Sequence, residues 1–588
     1  MKNRPRRRAG GLSAGLTLIV GVGLAAISPS YGQEGPDSGE APDNGVTVPI
    51  PPVVPNPNEL GAPLPNGATP LPSGQKLTPY GQPVTPNGRT PIVPPTGTGF
   101  RVTVAGDLQE TFTDNAFESV SDRKVDFLTT PGIDLTLHDD GAHFVADFTY
   151  SIAGDLYALN PSLDGLRQNL LGVARSELIP QYLALDARVF AQPVLVGRGF
   201  EASATERSLP SSDTAGYQDT YGYLIGPTLT NSFGTDAINT LSLQTGATFF
   251  STPIGPSAPN EQSLLSQVGT AENTIVNTLT EKLASGPRFS QTQWDVLLQD
   301  TETSQESDNI SDRVAQADLN YSLNRYIQLL STFGYEQITD TQQLERNLSG
   351  PIISGGFRLT PGPRAELVFQ GGVRNHEPTF SGNFRYDIGE RSTLTASYTD
   401  QIVTEQQRLL GNLGNLGISP IGSPINTQTG QGFSIQPGDQ LSLDNPLSRF
   451  RSLSATLLLH GLRTDYTATV FYTVQDTLTR AASQILPQQT ATGGSLDISH
   501  QLTPTLTGDV NFSYSTGTGD VFATTGAGAG GGDDNTLLAS AGLSYQINPR
   551  LSAQLRYSHL EQQLGGSSTS FSGTVVENAV VVSLRQQF

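Results

Sequence analysis

Apolar and polar residues alternate along many segments between residue 101 and the C-terminus. In the segment from 550 to 557, for example, apolar side chains stand at positions 551, 553, 555 and 557. The same alternation runs through 464–475 and 506–514. Because successive side chains of a β-strand point to opposite faces, one face of each segment suits lipid and the other suits water. The segments extend over about 9–12 residues, which is typical of a tilted membrane-crossing strand, whereas an average strand has about 5–6 residues.

Two kinds of connection separate these segments. Short turns with polar or Pro residues are predicted at Leu323–Tyr326, Leu359–Pro363, Ile388–Arg391, Leu502–Leu506 and Ile547–Leu551. Long connections rich in Gly, Ser and Asn are predicted at Leu409–Asn445 and Thr516–Asn535. Short turns at one rim and long loops at the other are typical of outer-membrane barrels, in which the short turns are periplasmic.

The pattern therefore predicts an all-β fold, a transmembrane antiparallel barrel of about 20 strands (roughly 18 to 22) over residues 101–588. The strand count does not close, however. The strand near Gln291–Gln299 runs in opposite directions when strands are counted from Arg101 and from Phe588. Either one segment is assigned wrongly, or the stretch Thr252–Pro287 crosses the lumen.

That stretch, residues 252–287, carries apolar residues at helical spacing. They are Leu264, Leu265, Val268, Ile275, Val276, Leu279 and Leu283. The spacing predicts an amphipathic helix. It leaves two placements open, a helix packed on an outer loop or an insert that narrows the barrel lumen.

The chain begins with features of a secretory signal peptide, predicted here as residues 1–32. Lys2 and a cluster of arginines precede an apolar run from Leu12 to Ile27, which is followed by small residues. Residues 33–100 are rich in Pro and are predicted to form a disordered periplasmic tether, since Pro lacks the N–H that a strand needs. A spacer and a segment that contacts peptidoglycan or a partner are both compatible with this composition.

Composition narrows the class of protein further. The 588 residues include 63 Gly and 40 Pro, no Cys, and 15% charged residues, with a formal net charge of −21. This acidic charge argues against nucleic acid as a partner, and without Cys there are no disulfides. No catalytic motif is found, so we expect neither an enzyme nor a cofactor. His138 and His143 flank an Asp-Asp-Gly sequence that predicts a hairpin turn and not a metal site.

Strand parity predicts which side chains face the lumen. The candidate lumen-lining residues are Arg364, Glu366, Gln370, Arg374, Asp465, Asp509, Gln554 and Arg556. Mixed Arg and carboxylate groups there would select solutes by charge and hydrogen bonding. The alternative is that these charges pair with one another across neighbouring strands and fill a wide barrel.

The last nine residues form a further apolar-alternating segment that ends in Phe. Val580, Val582, Leu584 and Phe588 resemble the C-terminal strand signal that the barrel-assembly machinery reads in outer-membrane barrels. Gln586 departs from that signal, which usually has an apolar residue at this position. Outer-membrane lipid and the assembly machinery are therefore expected partners.

A family resemblance rests on the first predicted strands. Glu110-Thr111-Phe112-Thr113-Asp114-Asn115 is followed by Thr130-Pro131-Gly132-Ile133, and weaker echoes are Phe289-Ser290 before Trp294 and Phe333-Gly334-Tyr335-Glu336. These motifs resemble the β-barrel porins associated with exopolysaccharide and PEP-CTERM systems. The resemblance implies a barrel in the outer membrane of a Gram-negative bacterium and, with it, export of a surface polysaccharide, but no catalytic residues.

Two functions from different classes remain open on the sequence. The first is a porin-like channel for small solutes or for a nascent exopolysaccharide, working alone or with an export complex. The second is a structural or adhesive envelope barrel without transport activity. Conductance would separate them.

Overall fold

Strands dominate the computed structural model, which describes residues 99–117, 119–141, 143–195, 217–250, 272–306, 308–341, 343–344, 347–389, 391–418, 424–426, 445–480, 488–518, 533–564 and 573–588. The first eleven barrel strands, β1 to β11, are Arg101–Thr113, Asp126–Asp140, Phe144–Tyr157, Gly165–Ile179, Leu183–Leu195, Tyr217–Phe233, Ala237–Phe250, Thr274–Ser285, Thr292–Gln305, Asn309–Asn324 and Ile327–Asp340. The next eleven, β12 to β22, are Ser349–Gly362, Ala365–Arg374, Glu377–Asp387, Thr393–Val403, Ser448–His460, Thr464–Thr477, Gln489–Thr503, Leu506–Thr518, Asp533–Asn548, Leu551–Leu564 and Gly573–Gln587.

These 22 strands form one closed antiparallel barrel. Each strand pairs with its neighbour in the sequence, and β1 closes the ring by pairing with β22 from Thr113 opposite Ala579 to Ala105 opposite Gln587. The amide of Phe588 extends this pairing by donating to the carbonyl of Val104 at 2.9 Å. The predicted fold class is confirmed, and the strand number lies at the upper end of the predicted range. Residues 1–98, which hold the predicted signal peptide and most of the tether, lie outside the described residues.

The barrel has an apolar outer face and a polar inner face. On β19, Val510, Phe512 and Tyr514 are exposed on the outside, whereas Asn511 and Ser513 are buried on the inside. The predicted alternations in 464–475, 506–514 and 550–557 all lie on such strands. Because most of the 22 strands carry exposed apolar side chains on this face, the outer face is suited to contact with lipid.

Connections at the two rims differ in length. The turn rim, which contains Arg101 and Phe588, has ten connections of two to six residues, including all five predicted short turns. The opposite rim, here the loop rim, holds the long connections between β5 and β6, β7 and β8, β15 and β16, and β19 and β20. This division is the one predicted, and it gives the barrel the outer-membrane arrangement of turns and loops.

The predicted helix between 252 and 287 is wrong where the structure describes this stretch, because Thr274–Ser285 is strand β8. Ile275, Leu279 and Leu283 are four residues apart, and an even spacing places side chains on one face of a strand as well as on one face of a helix. The first two are exposed on the outer face. Leu264, Leu265 and Val268 lie outside the described residues. Strand β8 is also the strand that was missing when strands were counted from Arg101. With β8 included, β9 runs from the turn rim to the loop rim.

Exposed aromatic side chains lie near both ends of the outer face. Toward the turn rim they are Tyr182, Phe233, Tyr321, Tyr326, Tyr386, Tyr466 and Tyr545. In the loop-side half they are Phe112, Phe127, Phe249, Tyr335, Tyr472 and Tyr514. Two such girdles mark the membrane–water interfaces of transmembrane barrels, because aromatic rings favour the headgroup level. Among the described residues, no helix is long and apolar enough to cross a membrane.

Candidate functional site in the barrel lumen

The structure places seven of the eight predicted lumen-lining residues on the inner face. Glu366, Gln370 and Arg374 lie on β13, Asp465 on β17, Asp509 on β19, and Gln554 and Arg556 on β21, each with the opposite parity to the exposed apolar residues of its strand. Arg364 is an exception. Its parity is that of the inner face, but β13 begins at Ala365, so Arg364 is an exposed residue of the two-residue turn at the turn rim.

Most of the predicted charged groups have partners on the inner wall. Nη2 of Arg556 lies 3.2 Å from Oδ2 of Asp509, two strands away. Gly542 of β20 lies directly between them in register. A Cβ at Gly542 would lie 2.8 Å from the Asp509 carboxylate. A glycine is therefore needed there for the carboxylate to lie across the intervening strand.

The same cross-strand pairing recurs elsewhere on the wall. Nε of Arg374 donates to Glu336 at 2.7 Å, Nε of Arg358 lies 3.3 Å from Glu366, and Nδ1 of His460 lies 3.0 Å from Asp465. The Glu336 carboxylate is fully buried. Buried charges of this kind are stable only when they are paired, so these groups act first as a lattice that holds the inner wall together.

A helix, α1, occupies the lumen from the loop between β15 and β16. It spans Glu405–Gly414 and is capped by Thr404, whose Oγ1 accepts from the amide of Gln407 at 3.2 Å. The Gln407 side chain accepts in return from the Thr404 amide at 2.7 Å. This reciprocal capping box satisfies two of the amides that a helix leaves unpaired at its N-terminus.

Polar contacts attach α1 to distant parts of the wall. Gln406 Oε1 accepts from Thr248 of β7 at 2.7 Å, and Glu405 Oε1 accepts from Gln475 of β17 at 2.7 Å. Gln407 donates to Thr303 of β9. Strands β7 and β17 are ten positions apart in a ring of 22, which places them nearly opposite each other. The first turn of α1 therefore bridges the lumen.

Apolar contacts fix the other side of α1 to β5 and β6. Leu409, Leu410 and Leu413 form a buried cluster with Phe190 and Leu224 of the wall. Such burial stabilises by about 25 cal/mol per Å² of apolar area. This cluster gives the helix an apolar contact surface on the wall, here called its seat, inside a polar lumen.

Two wall glycines make room for that seat. A Cβ at Gly246 would lie 3.1 Å from Cδ1 of Leu410, and a Cβ at Gly222 would lie 2.1 Å from the ring of Phe190. Any larger residue at Gly222 would have to displace Phe190.

The carboxyl end of α1 is held by a cation. Arg188 of β5 donates through Nη1 to the carbonyl of Gly414, and its Nε lies 3.2 Å from Asp186. A positive charge at this end satisfies an unpaired carbonyl and complements the helix dipole. At the other side of the helix, the guanidinium of Arg408 lies 4.3 Å from the ring centre of Phe450. The carboxyl end of α1 is thereby fixed, as its first turn is.

Two more apolar clusters lie toward the loop rim. One contains Ile310, Ile338, Leu348, Leu447 and Leu478, and joins loops from three parts of the chain. Next to it, Gln343–Leu344 pairs with Thr479–Arg480. The other contains Ala116, Leu128, Tyr157 and Leu163. The loop side of the barrel is thus packed by several connections, and not by α1 alone.

The lumenal helix was not predicted from the sequence, although a signal for it exists. Thr404 and Gln407 have the Ser/Thr-x-x-Glu/Gln spacing of a capping box, and Leu409, Leu410 and Leu413 follow at helical spacing. The prediction instead placed all of Leu409–Asn445 in an outer loop. The position of α1 inside the barrel depends on wall residues that are 70 to 226 positions away, such as Gln475 with Glu405 and Arg188 with Gly414, and no local pattern reveals it.

Comparison with known proteins gives one family match. Residues 460–588, from the end of β16 to the C-terminus, match the family described as "Putative beta-barrel porin 2". The resemblance to β-barrel porins is thereby confirmed for these residues. A search of curated protein sequences found no significant match.

Solved structures of similar architecture share little sequence with this chain. The siderophore receptor PirA from Acinetobacter baumannii is 11% identical, with 84% of this chain and 81% of that chain covered and a TM-score of 0.43. PirA from Pseudomonas aeruginosa is 11% identical, with 82% and 80% covered and a TM-score of 0.37. The FrpB iron transporter from Neisseria meningitidis is 10% identical, with 83% and 82% covered and a TM-score of 0.37.

Proposed function

We propose that this porin-like β-barrel of the outer-membrane type is a solute channel that α1 closes from the loop side. The observation that carries the proposal is the bridging of the lumen by α1, with Gln406 bonded to Thr248 and Glu405 bonded to Gln475. About 20 strands enclose more space than wall side chains fill. A helix that bridges this space can therefore decide whether a solute passes.

The inner wall indicates the class of solute. Strands β15 to β17 present hydroxyl groups to the lumen that bond to one another in pairs, including Ser397 with Ser454 and Thr456 with Thr469. Hydroxyls donate and accept equally, so this part of the wall suits polar, uncharged solutes. A small polar solute and a nascent exopolysaccharide both fit this chemistry; the latter is the one that the Glu110–Asn115 resemblance implies.

We place the barrel in the outer membrane of a Gram-negative bacterium, with the Pro-rich tether in the periplasm. Val580, Val582 and Leu584 are exposed on the outer face of β22 next to the terminal Phe588, which is the placement that recognition by the assembly machinery would require. No enzymatic activity is proposed.

Cross-linking of α1 to the wall tests the channel. In the mature chain, Thr248→Cys and Gln406→Cys introduce a unique thiol pair, because the natural chain has no Cys. A short, reducible bifunctional thiol reagent should join them and abolish channel openings in a planar bilayer. Reduction should restore the openings to the level of the uncross-linked protein, since the helix is then free to leave its seat.

A matched control places both thiols on the wall. Ser242→Cys and Thr280→Cys lie opposite each other on β7 and β8, facing the lumen away from α1. Cross-linking this pair should leave the openings unchanged. If a folded, heat-modifiable barrel passes no current in any of these forms, the channel is excluded and the structural or adhesive barrel takes its place.

A further inference from the structure

The pairing between β14 and β15 is the shortest in the barrel. It covers only Gly382–Asp387 and Thr393–Tyr398. Nearer the loop rim, β14 stays paired with β13 as far as Glu377, and β15 stays paired with β16 as far as Val403. The two hairpins are therefore intact, but the wall between β14 and β15 is split over its loop-side half.

The edge of β14 along this split carries a proline. Pro378 has no N–H, and its carbonyl faces the split, where it accepts from Nη2 of Arg449 at 2.7 Å. A proline within a sheet is found at an edge, where its missing donor leaves no neighbour unpaired. The sequence is thus suited to an edge at this position, although the barrel as a whole is closed.

Arg449 fastens the split. It lies on β16 with the parity of the exposed, outer-facing Leu453, yet its side chain is only 11% exposed and crosses β15 to reach β14. Its Nε donates to Asp400 of β15 at 2.7 Å, and its Nη1 contacts Glu377 of β14. One guanidinium thereby joins three strands through charge-assisted hydrogen bonds, in place of the missing backbone ladder.

The strands that form the barrel wall are also shortest at this point. Strands β13 and β14 have 10 and 11 residues, and a two-residue turn of Asn375 and His376, both with positive φ, joins them. A pocket beside Arg449 is lined by Leu348, Thr379 and Ile402, among other residues. Outside it, Phe380 is exposed to the lipid-facing side. The pocket therefore lies where backbone pairing between β14 and β15 is missing, and apolar side chains line it and flank it on the outer face.

We infer that the β14–β15 seam is a lateral opening between the lumen and the loop-side layer of the membrane, latched by Arg449. It offers amphipathic solutes, with both an apolar and a polar part, a route past the packed loop rim. The inference does not require α1 to move, and its test does not depend on conductance.

A membrane-partitioning, long-chain maleimide tests the opening in proteoliposomes of the mature chain. Thr379→Cys places a thiol on the lumenal side of the split, and Ser540→Cys places one on the inner face of β20, where β19 and β21 pair along its length. We expect the thiol at 379 to react at least tenfold faster than the thiol at 540. Adding Arg449→Ala should raise its rate at least tenfold more and leave the rate at 540 unchanged.

A second measurement covers the case in which Arg449→Ala does not fold. Arg449→Lys keeps the charge but cannot bind three acceptors in a fork. It should speed hydrogen exchange of the amides in 393–398 relative to those of β20, whereas Arg585→Lys, which alters the contact of Arg585 with Asp134, should not. Equal labelling of the thiols at 379 and 540 in both backgrounds, or exchange in 393–398 that Arg449→Lys leaves unchanged, would overturn the inference.

Discussion

Single side chains of the wall decide where the lumenal helix sits. Arg188 is buried on β5, satisfies a carbonyl at the end of α1 and is balanced by Asp186. Hydrogen bonds that involve a charged group contribute about 1.5–3 kcal/mol. The helix has only ten residues, so one such bond is a large part of what holds it in place.

Replacement of this arginine should loosen α1. In Arg188→Ala the Gly414 carbonyl loses its donor and Asp186 loses its partner, so we expect the open probability of single channels to rise by about tenfold, the equivalent of ~1.4 kcal/mol. Arg167→Ala is the matched control, since Arg167 pairs with Asp155 on β3 and not with α1. Equal open probabilities in the two variants would show that Arg188 does not hold the helix.

At the scale of elements, the barrel is closed by more than backbone pairing. Beyond the last paired residues of β1 and β22, Asp114 accepts from the amide and from Nδ2 of Asn578, both at 2.7 Å. Asn115 donates to the carbonyl of Val576 at 3.0 Å, and Thr113 donates to Glu577 at 2.6 Å. The end of the Glu110–Asn115 motif thus fastens the first strand to the last.

Loss of one of these side chains should weaken the closing seam. Asn578→Ala removes the Nδ2 hydrogen bond to Asp114, leaves its carboxylate short of a donor, and also removes the acceptor of the Tyr557 hydroxyl. The free energy of unfolding should therefore fall by about 1–3 kcal/mol. Urea titration with heat-modifiable mobility on gels measures this fall. Asn535→Ala, at a partly exposed position on β20 where the neighbouring ladders continue, is the control and should change stability by less than about 0.5 kcal/mol. A smaller loss in Asn578→Ala than in the control would contradict the assignment.

The whole molecule presents a lipid-facing band between two aromatic girdles. Trp294 is the only tryptophan of the chain, and it lies on β9 opposite the exposed, outer-facing Leu319, near the turn rim. Its ring packs edge-on against Phe289 with the centres 6.0 Å apart. This position corresponds to the membrane–water interface if the girdles mark that interface.

Fluorescence quenching can locate this tryptophan in a bilayer. Lipids brominated close to the headgroup should quench Trp294 more strongly than lipids brominated near the chain ends, because the ring lies at the edge of the apolar band. In the double variant Trp294→Phe/Thr395→Trp the indole faces the lumen, and neither lipid should quench it appreciably. Strongest quenching from the chain ends would mean that the girdle is misplaced.

The sequence by itself determined the architecture, because a transmembrane strand must alternate apolar and polar residues along its whole length. The sequences of segments such as 464–475 and 506–514 therefore predict both that these segments are strands and which of their faces contacts lipid. Parity also placed Glu366, Asp509 and Arg556 on the inner wall, because successive side chains of a strand point to opposite faces of the sheet. The division into a turn rim and a loop rim followed from the lengths of the connections between strands.

Only the tertiary structure decided what fills the lumen. The spacing of residues such as Ile275 and Leu279 suits a helix and a strand equally. In the structure these residues lie on strand β8, which brings the number of barrel strands to an even 22. Helix α1 lies inside because Gly222, Gly246 and Arg188 of distant strands form its seat. The partners of Arg449 likewise come from two other strands, β14 and β15. Contacts between residues so far apart in the chain depend on closure of the barrel, and no local pattern encodes them.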